Sequence, residues 1–225
     1  MSTTSCAAAA MPSRAVLFDF DGTLADTAPD LAAAVNRMRA EHGHEPLPIE
    51  ALRPFASAGA RGLLHAGFGA KPEDAEYPAL RETFLEYYAE RLCEETRLFP
   101  GIAELLDALR ARDIRWGIVT NKATRFTERI IAELKLKPDC VACGDTTPHL
   151  KPHPASLLHA AAQLELPPET CCYLGDDLRD IKAAHAAGMR PIAVEWGYHH
   201  PASGGPHTWE AAAIITHPLD LTRHL

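Results

Sequence analysis

The sequence predicts an α/β fold: a parallel sheet covered by helices on both faces, with an all-helical insert after its first strand. Three patterns lead there. From residue 99 onward, short continuous apolar runs alternate with helical stripes, as expected when parallel strands are buried on both faces. A matching run, Ala15-Val-Leu-Phe18, stands by itself near the N-terminus. Between the two, from about Asp26 to Leu98, the periodicity is helical and no convincing strand is found.

Each element follows from its local pattern. The first strand, Ala15 to Phe18, runs into Asp19-Phe-Asp-Gly-Thr23. In the insert, Leu31, Ala34, Val35 and Met38 make one helical stripe, and Leu80, Phe84, Tyr87, Tyr88 and Leu92 a longer one. The aromatic members of the second are read as the insert's core. Loops carrying Gly59, Gly62, Gly67 and Gly69 are expected between them. Phe99-Pro-Gly101 marks the return, followed by the stripe Ile102, Leu105, Leu106, Leu109 at i, i+3, i+4, i+7. Trp116 to Val119 is the second strand, ending in Thr120-Asn121, and Phe126, Ile130 and Leu134 mark the next helix. Val141 to Cys143 is the third strand, and Leu157, Leu158, Ala161 and Leu164 the helix after it. Cys172 to Leu174 is the fourth, ending in Gly175-Asp176-Asp177. A short Ala-rich helix from Asp180 to Ala187 stops at Gly188, a common residue just past a helix end. Pro191 to Val194 and Ala213 to Ile215 complete the set. The resulting division is a flexible tail at 1–13, with Met11 as a candidate true start, a core of 14–25 and 99–225, and a helical domain at 26–98.

Bulk composition narrows the function. The chain has 225 residues, enough for one good core and a smaller appended domain. Its net charge of −8 disfavours nucleic acid as a partner. No apolar run approaches the ~20 residues of a membrane span, and the small, neutral N-terminus lacks the features of a secretory signal. A cytoplasmic protein, monomer or homodimer, is expected. The six cysteines are then expected as reduced thiols, with adjacent Cys171 and Cys172 pointing to opposite faces of a strand. Cys140-x-x-Cys143 alone is a weak signal for zinc or redox chemistry.

The chemistry lies at the strand ends. Asp19 and Asp21, Thr120 and Asn121, and Asp176 all follow C-terminal ends of expected strands, where an open parallel sheet forms its ligand crevice. Asp19 and Asp21, two apart in extended chain, can face the same side, and Gly22 permits a tight turn after them. Carboxylates this close repel unless a cation lies between them, and hard oxygen ligands suit Mg²⁺. Asp176 would complete the carboxylate set. A carboxylate can act as nucleophile on a phosphoryl group and form an aspartyl-phosphate. Lys151, in the proline-stiffened segment Leu150-Lys-Pro-His-Pro154, is a candidate to screen the two anions. The Thr120 hydroxyl and nearby backbone N–H groups can hold phosphate oxygens.

Asp19-Phe-Asp-Gly-Thr23, Val119-Thr-Asn121, Lys151-Pro152 and Gly175-Asp-Asp-Leu-Arg-Asp180, in that order, resemble the motif set of the haloacid dehalogenase superfamily. The resemblance covers nearly all of 14–225. It implies a Rossmann-like parallel sheet with an all-α helical cap, as in the phosphoglycolate phosphatase-like branch. It further implies Asp19 as nucleophile and Asp21 as general acid/base, with Thr120, Asn121 and Lys151 at the phosphate. Mg²⁺ would be held by Asp19, the Asp21 main-chain carbonyl and Asp176. Asp180 would be the supporting carboxylate beside Lys151, ahead of its rival Asp177. Arg61, in the cap, is the candidate for reaching a polar group of the substrate, a small phosphorylated metabolite. Ser57-x-Gly-Ala-Arg61 and Gly175-Asp-Asp-x-Arg-Asp180 are similar to segments of the N-acetylmuramic acid 6-phosphate phosphatases within that branch.

Singly, each piece has an ordinary reading: an Asp-Gly turn, a helix N-cap at Thr120-Asn121, a surface lysine, an acidic first helical turn at 176–180, a solvated cap arginine. Their joint occurrence favours a phosphomonoesterase. A phosphosugar mutase on the same scaffold, a hydrolytic dehalogenase and a non-enzymatic binding module are the alternatives. The dehalogenase needs no acid for its leaving halide, so the carboxyl at Asp21 weighs against it.

Overall fold

A computed structural model describes residues 13–225. Apart from Ser13, the expected tail lies outside the described residues, with Met11 and Cys6. The strands are β1 (Ala15–Phe18), β2 (Ala25–Asp26), β3 (Arg97–Leu98), β4 (Arg115–Val119), β5 (Cys140–Ala142), β6 (Cys171–Gly175), β7 (Arg190–Val194) and β8 (Ala213–Ile215). The helices are α1 (Ala28–Glu41), α2 (Ile49–Leu52), α3 (Gly59–Phe68), α4 (Tyr77–Glu90), α5 (Ile102–Ala111), α6 (Thr124–Glu133), α7 (Ala155–Gln163) and α8 (Leu178–Ala187).

A six-stranded parallel sheet in the order β5-β4-β1-β6-β7-β8 forms the centre. β1 has no polar residue and is buried throughout. Its side chains alternate: Val16 and Phe18 pack with Leu105 and Leu109 of α5 and Ile130 of α6, while Ala15 and Leu17 pack with Leu157 and Ala161 of α7 and Ala184 of α8. Cys172 and Cys171 likewise join opposite faces. Because Phe18 lies opposite both Ile118 and Leu174, the ends of β1, β4 and β6 are side by side. From β1 the chain winds outward through β4 and β5 on one side, then crosses to β6 on the other, and this reversal opens a crevice beyond the strand ends.

Helices α1 to α4 have an apolar core of their own. Leu31, Val35, Met38, Leu52, Leu63, Leu64, Phe84 and Tyr88 meet there, joined by Phe126 of α6 and by Tyr198. Tyr87 sits at its edge, with its hydroxyl donating to Glu41 at 2.6 Å.

Two expectations for this region are corrected. The span 26–98 is not free of strand: β2 and β3 form a two-residue antiparallel ribbon where the chain leaves and re-enters the sheet domain. So short a ribbon has no periodicity to read. The glycines expected in loops instead lie in or beside a helix, α3. A Cβ at Gly62 would strike the Phe55 carbonyl and Ala58, and one at Gly67 would strike Val35. Close packing therefore selects glycine there despite its poor helix propensity.

Asp30, buried in α1, fastens the returning chain: it accepts from Glu95 N at 3.0 Å, Thr96 N at 2.9 Å and Thr96 Oγ1 at 2.7 Å. Replacing it with Ala strands buried donors. We expect Asp30→Ala to lower unfolding free energy by about 1–3 kcal/mol in urea titration. An unchanged midpoint would show that these bonds carry no net stability.

Candidate active site

The segment after β1 folds so that its acidic and apolar residues part. Asp19 N donates to Leu174 O at 2.8 Å and extends the sheet by one bond. The Phe20 side chain turns into the core, and its carbonyl accepts from Leu24 N and Ala25 N at 3.1 and 3.0 Å. Asp19 and Asp21 are thereby left lining one cavity. Gly22 has a φ of +86°, and a Cβ there would overlap the Asp176 carboxylate, so only glycine fits.

Lys151 lies at the floor, 4% exposed. Its Nζ is 2.8 Å from Asp19 Oδ1 and 2.7 Å from Asp180 Oδ1, and donates to Tyr173 Oη at 2.7 Å and Val119 O at 3.3 Å. The Tyr173 hydroxyl in turn donates to Val119 O at 2.7 Å. Asp180 is held at both oxygens, since Oδ2 accepts from Asp177 N at 3.1 Å in the capping box of α8. Asp177 instead caps α8 and pairs with Arg179 at 2.9 Å, which separates the two rivals.

Asp176 is fully buried. Its carboxylate accepts from Thr23 Oγ1 at 3.2 Å, Ser57 Oγ at 3.1 Å and Tyr198 N at 2.8 Å. Asp21 Oδ1 accepts from Thr27 Oγ1 at 2.5 Å and from Lys122 Nζ at 2.8 Å. Thr120 is buried at the end of β4 and faces the same cavity. The Asn121 carboxamide bonds the main chain of Lys151, donating to the carbonyl at 3.1 Å and accepting from the N–H at 2.9 Å. The side chain thus clamps one loop to the other, while the residue itself lines the cavity beside Thr120. Arg61 lines the cavity from α3 with its side chain exposed.

Sequence reasoning missed Lys122, Tyr173, Tyr198 and Thr27. Lys122 directly follows Thr120-Asn121, a position that pointed to it; Tyr173 lies within an apolar strand and Tyr198 in a loop, and neither stands out in the sequence.

The charges do not balance. Burial pushes the Asp19 carboxyl up from 3.8 to about 7; Lys151 opposes this, and the charges of Asp180 and Asp21 add to it. Burial, then the charges of Asp19 and Asp180, hold Asp176 well above the usual carboxylate range. Burial alone would lower the Lys151 ammonium, but Asp180 and Asp19 outweigh it and raise it. Burial likewise opposes the charge on Lys122, and Asp21 and Tyr88 outweigh it. Asp19, Asp176 and Asp180 offer oxygens within 4.8 Å of one another against one ammonium. An all-oxygen set with surplus negative charge fits a hard dication. Asp180 is already engaged by Lys151 and its helix cap, so Asp19 and Asp176 are the side chains best free to hold it. The cysteines of Cys140-x-x-Cys143 are free; burial pushes Cys140 up to about 12 and raises Cys143, so neither is a ready thiolate.

The family model described as haloacid dehalogenase-like hydrolase matches residues 16–194. An N-acetylmuramic acid 6-phosphate phosphatase of Pseudomonas aeruginosa is 41% identical over 92% of this chain and 92% of its own length. A phosphoglycolate phosphatase of Xanthomonas campestris pv. campestris is 40% identical over 92% of this chain and 94% of its own. Among solved structures, that of a predicted phosphoglycolate phosphatase from Haemophilus somnus 129PT superposes with a TM-score of 0.83, at 26% identity, covering 94% of this chain and 97% of that one. Among the described residues no helix is long and apolar enough to cross a membrane.

The raised Asp19 carboxyl couples stability to pH, and would couple it to any dication that the ionised form holds. A carboxyl whose folded pKa lies above its unfolded value stabilises the fold at low pH and loses that contribution as pH rises through the folded pKa. From 3.8 to about 7, the chelated protein therefore loses stability, and a dication needing the ionised form restores it. We expect the rise in Tm on adding Mg²⁺ to chelator-treated protein to be larger at pH 8 than at pH 5.5. An equal rise at both, or none, would contradict the assignment.

Proposed function

The chain belongs to the haloacid dehalogenase-like hydrolase family, and we propose that it hydrolyses the phosphate monoester of a small metabolite, with Mg²⁺, by way of an aspartyl-phosphate on Asp19. It is a phosphatase of that family, as its relatives' names indicate. The observation that carries the finer reading is the contact of Asp19 Oδ1 with the Lys151 ammonium at 2.8 Å, in one cavity with Asp21 and Thr120.

In the first step an Asp19 carboxylate oxygen attacks phosphorus and the bond to the ester oxygen breaks. Asp21 gives its proton to that oxygen, and the alcohol leaves. In the second step Asp21 takes a proton from a water molecule as the water oxygen attacks phosphorus. The bond to Asp19 breaks, inorganic phosphate is released and the free carboxylate returns. Lys122 and Thr27 hold the Asp21 carboxylate between the two proton transfers and orient it. Lys151 and the Thr120 hydroxyl engage phosphate oxygens as charge develops. Asp19 and Asp176, with the Asp21 main-chain carbonyl, would hold a Mg²⁺ ion, which would supply positive charge to screen the carboxylate from the phosphate.

The curated relatives act, by their names, on phosphoglycolate or on N-acetylmuramic acid 6-phosphate. Both are phosphorylated acids, and a phosphorylated acid is the substrate we assign here. Free thiols at the described cysteines agree with a cytoplasmic setting.

With p-nitrophenyl phosphate and Mg²⁺ the protein should release inorganic phosphate without a bisphosphate activator, which separates it from a mutase. Asp19→Asn should keep the fold, by circular dichroism, and lose turnover by several orders of magnitude; turnover at the wild-type rate would remove Asp19 as the nucleophile. Asp21→Asn should slow kcat by roughly 10²–10⁴-fold, the usual contribution of a positioned acid/base. An unaltered pH–rate profile in that variant would assign the proton to another group.

A further inference from the structure

The cavity over Asp19 is larger than a phosphate head requires. Its volume is about 570 Å³, in the range that encloses whole drug-sized ligands. Its floor is the polar set described above. One wall is apolar and largely aromatic, from Leu31, Tyr77, Phe84 and Tyr88 of the insert with Phe126 of α6. Flat π faces of this kind attract the weakly positive C–H face of a sugar ring.

Two features of this wall lack a partner within the protein. The Tyr88 hydroxyl is buried and makes no hydrogen bond. Lys122 lies over the Tyr88 ring, 4.7 Å from its centroid. Buried polar groups are nearly always paired, so one left open on a cavity wall points to a ligand group. The second feature is charge. Lys122, Lys151 and Arg179 line the cavity and are each paired with aspartate. Arg61, Arg81 and Arg125 also line it, from three different helices, and among the described residues none forms an ion pair. In a chain of net charge −8, three unpaired arginines around one opening make a local attractive field for an anion. The phosphate already has Lys151 and the cation, so this field is left for a second anionic group.

We propose that this wall is the leaving-group site, and that the substrate is a ring-sized phosphorylated sugar acid. The Tyr88 hydroxyl bonds an oxygen of the ring, the aromatic side chains cover its C–H face, and Arg61, Arg81 and Arg125 take the carboxylate. A two-carbon acid leaves the aromatic wall and the Tyr88 hydroxyl unused. This inference rests on the phosphatase reading above and names the substrate class of the same site.

The test measures kcat/KM for phosphate release, with Mg²⁺, from p-nitrophenyl phosphate, phosphoglycolate, N-acetylglucosamine 6-phosphate and N-acetylmuramic acid 6-phosphate. The two sugars differ by one carboxylate-bearing ether. The wild type should favour the sugar acid over both the acid-free sugar and phosphoglycolate, each by about tenfold or more. Arg81→Gln and Arg125→Gln should each reduce the preference for acid over acid-free sugar severalfold. Tyr88→Phe should lower both sugars together relative to phosphoglycolate, by about tenfold, the scale of losing one substrate hydrogen bond. Variants that slow all four esters alike would assign these residues a structural role and overturn the proposal. Phosphoglycolate as the best substrate would overturn it and leave the phosphatase reading intact. No phosphate from any ester, the aryl phosphate included, would remove the phosphatase reading and the proposal with it.

Discussion

Burying an ammonium is costly unless carboxylates and carbonyls surround it, and the buried Lys151 Nζ meets that requirement from four separate segments. Asp19 comes from the end of β1, Val119 O from β4, Tyr173 from β6 and Asp180 from α8. All four must be in register for the charge to be satisfied. Asn121 fixes the lysine's own loop by both ends of its carboxamide. A buried ion pair is a weak source of net stability, but breaking one leaves an uncompensated charge. Asp19 is thus positioned by the same contacts that keep the lysine from being stranded.

The surplus of negative charge follows from how the remaining acids are used. Asp177 is neutralised by Arg179 against the cost of its burial, and its carboxyl is held below the usual range. Asp21 has Lys122. Asp180 shares Lys151 with Asp19, which leaves Asp176 with hydrogen bonds only. Those donors are neutral and cannot offset a full charge in a dry site. A cation is what this arrangement lacks electrostatically.

Helical insert and carboxylates are joined through few residues. Tyr198 N donates to Asp176, while its hydroxyl accepts from Thr27 N at 2.7 Å and Ala28 N at 3.0 Å and donates to Asp26 at 3.0 Å. Thr27 continues the line to Asp21, and Ser57 reaches Asp176 directly from the insert. Arg179 closes the loop by donating to Ser57 O at 2.9 Å. The insert side of the cavity and its carboxylate floor are therefore held in one hydrogen-bonded frame, and a shift of the insert is felt at the carboxylates.

The sheet was legible because its strands are apolar on both faces and carry no other signal: β1 and β8 match their expected bounds, and β4, β6 and β7 differ only by a residue or two at their ends. Asp19, Asp21, Lys151, Asp176 and Asp180 were legible because each lies in a short motif at a strand end, where a parallel sheet gathers such residues whatever the loops do. Local pattern could not yield α3, whose glycines are chosen by contact with Phe55, Ala58 and Val35. Nor could it show that the Asn121 carboxamide clamps Lys151, or that Asp180 and not Asp177 reaches the lysine, because both depend on where a loop or helix turn points its side chains. Lys122, Tyr88 and Tyr198 acquire their roles only through partners distant in sequence. The sequence by itself determined the sheet, its order of motifs and the carboxylates at the strand ends, since periodicity and spacing are local properties. Which charges are paired, which hydroxyl is left open and what shape of leaving group fits were decided by tertiary packing, which alone sets distances between segments far apart in the chain.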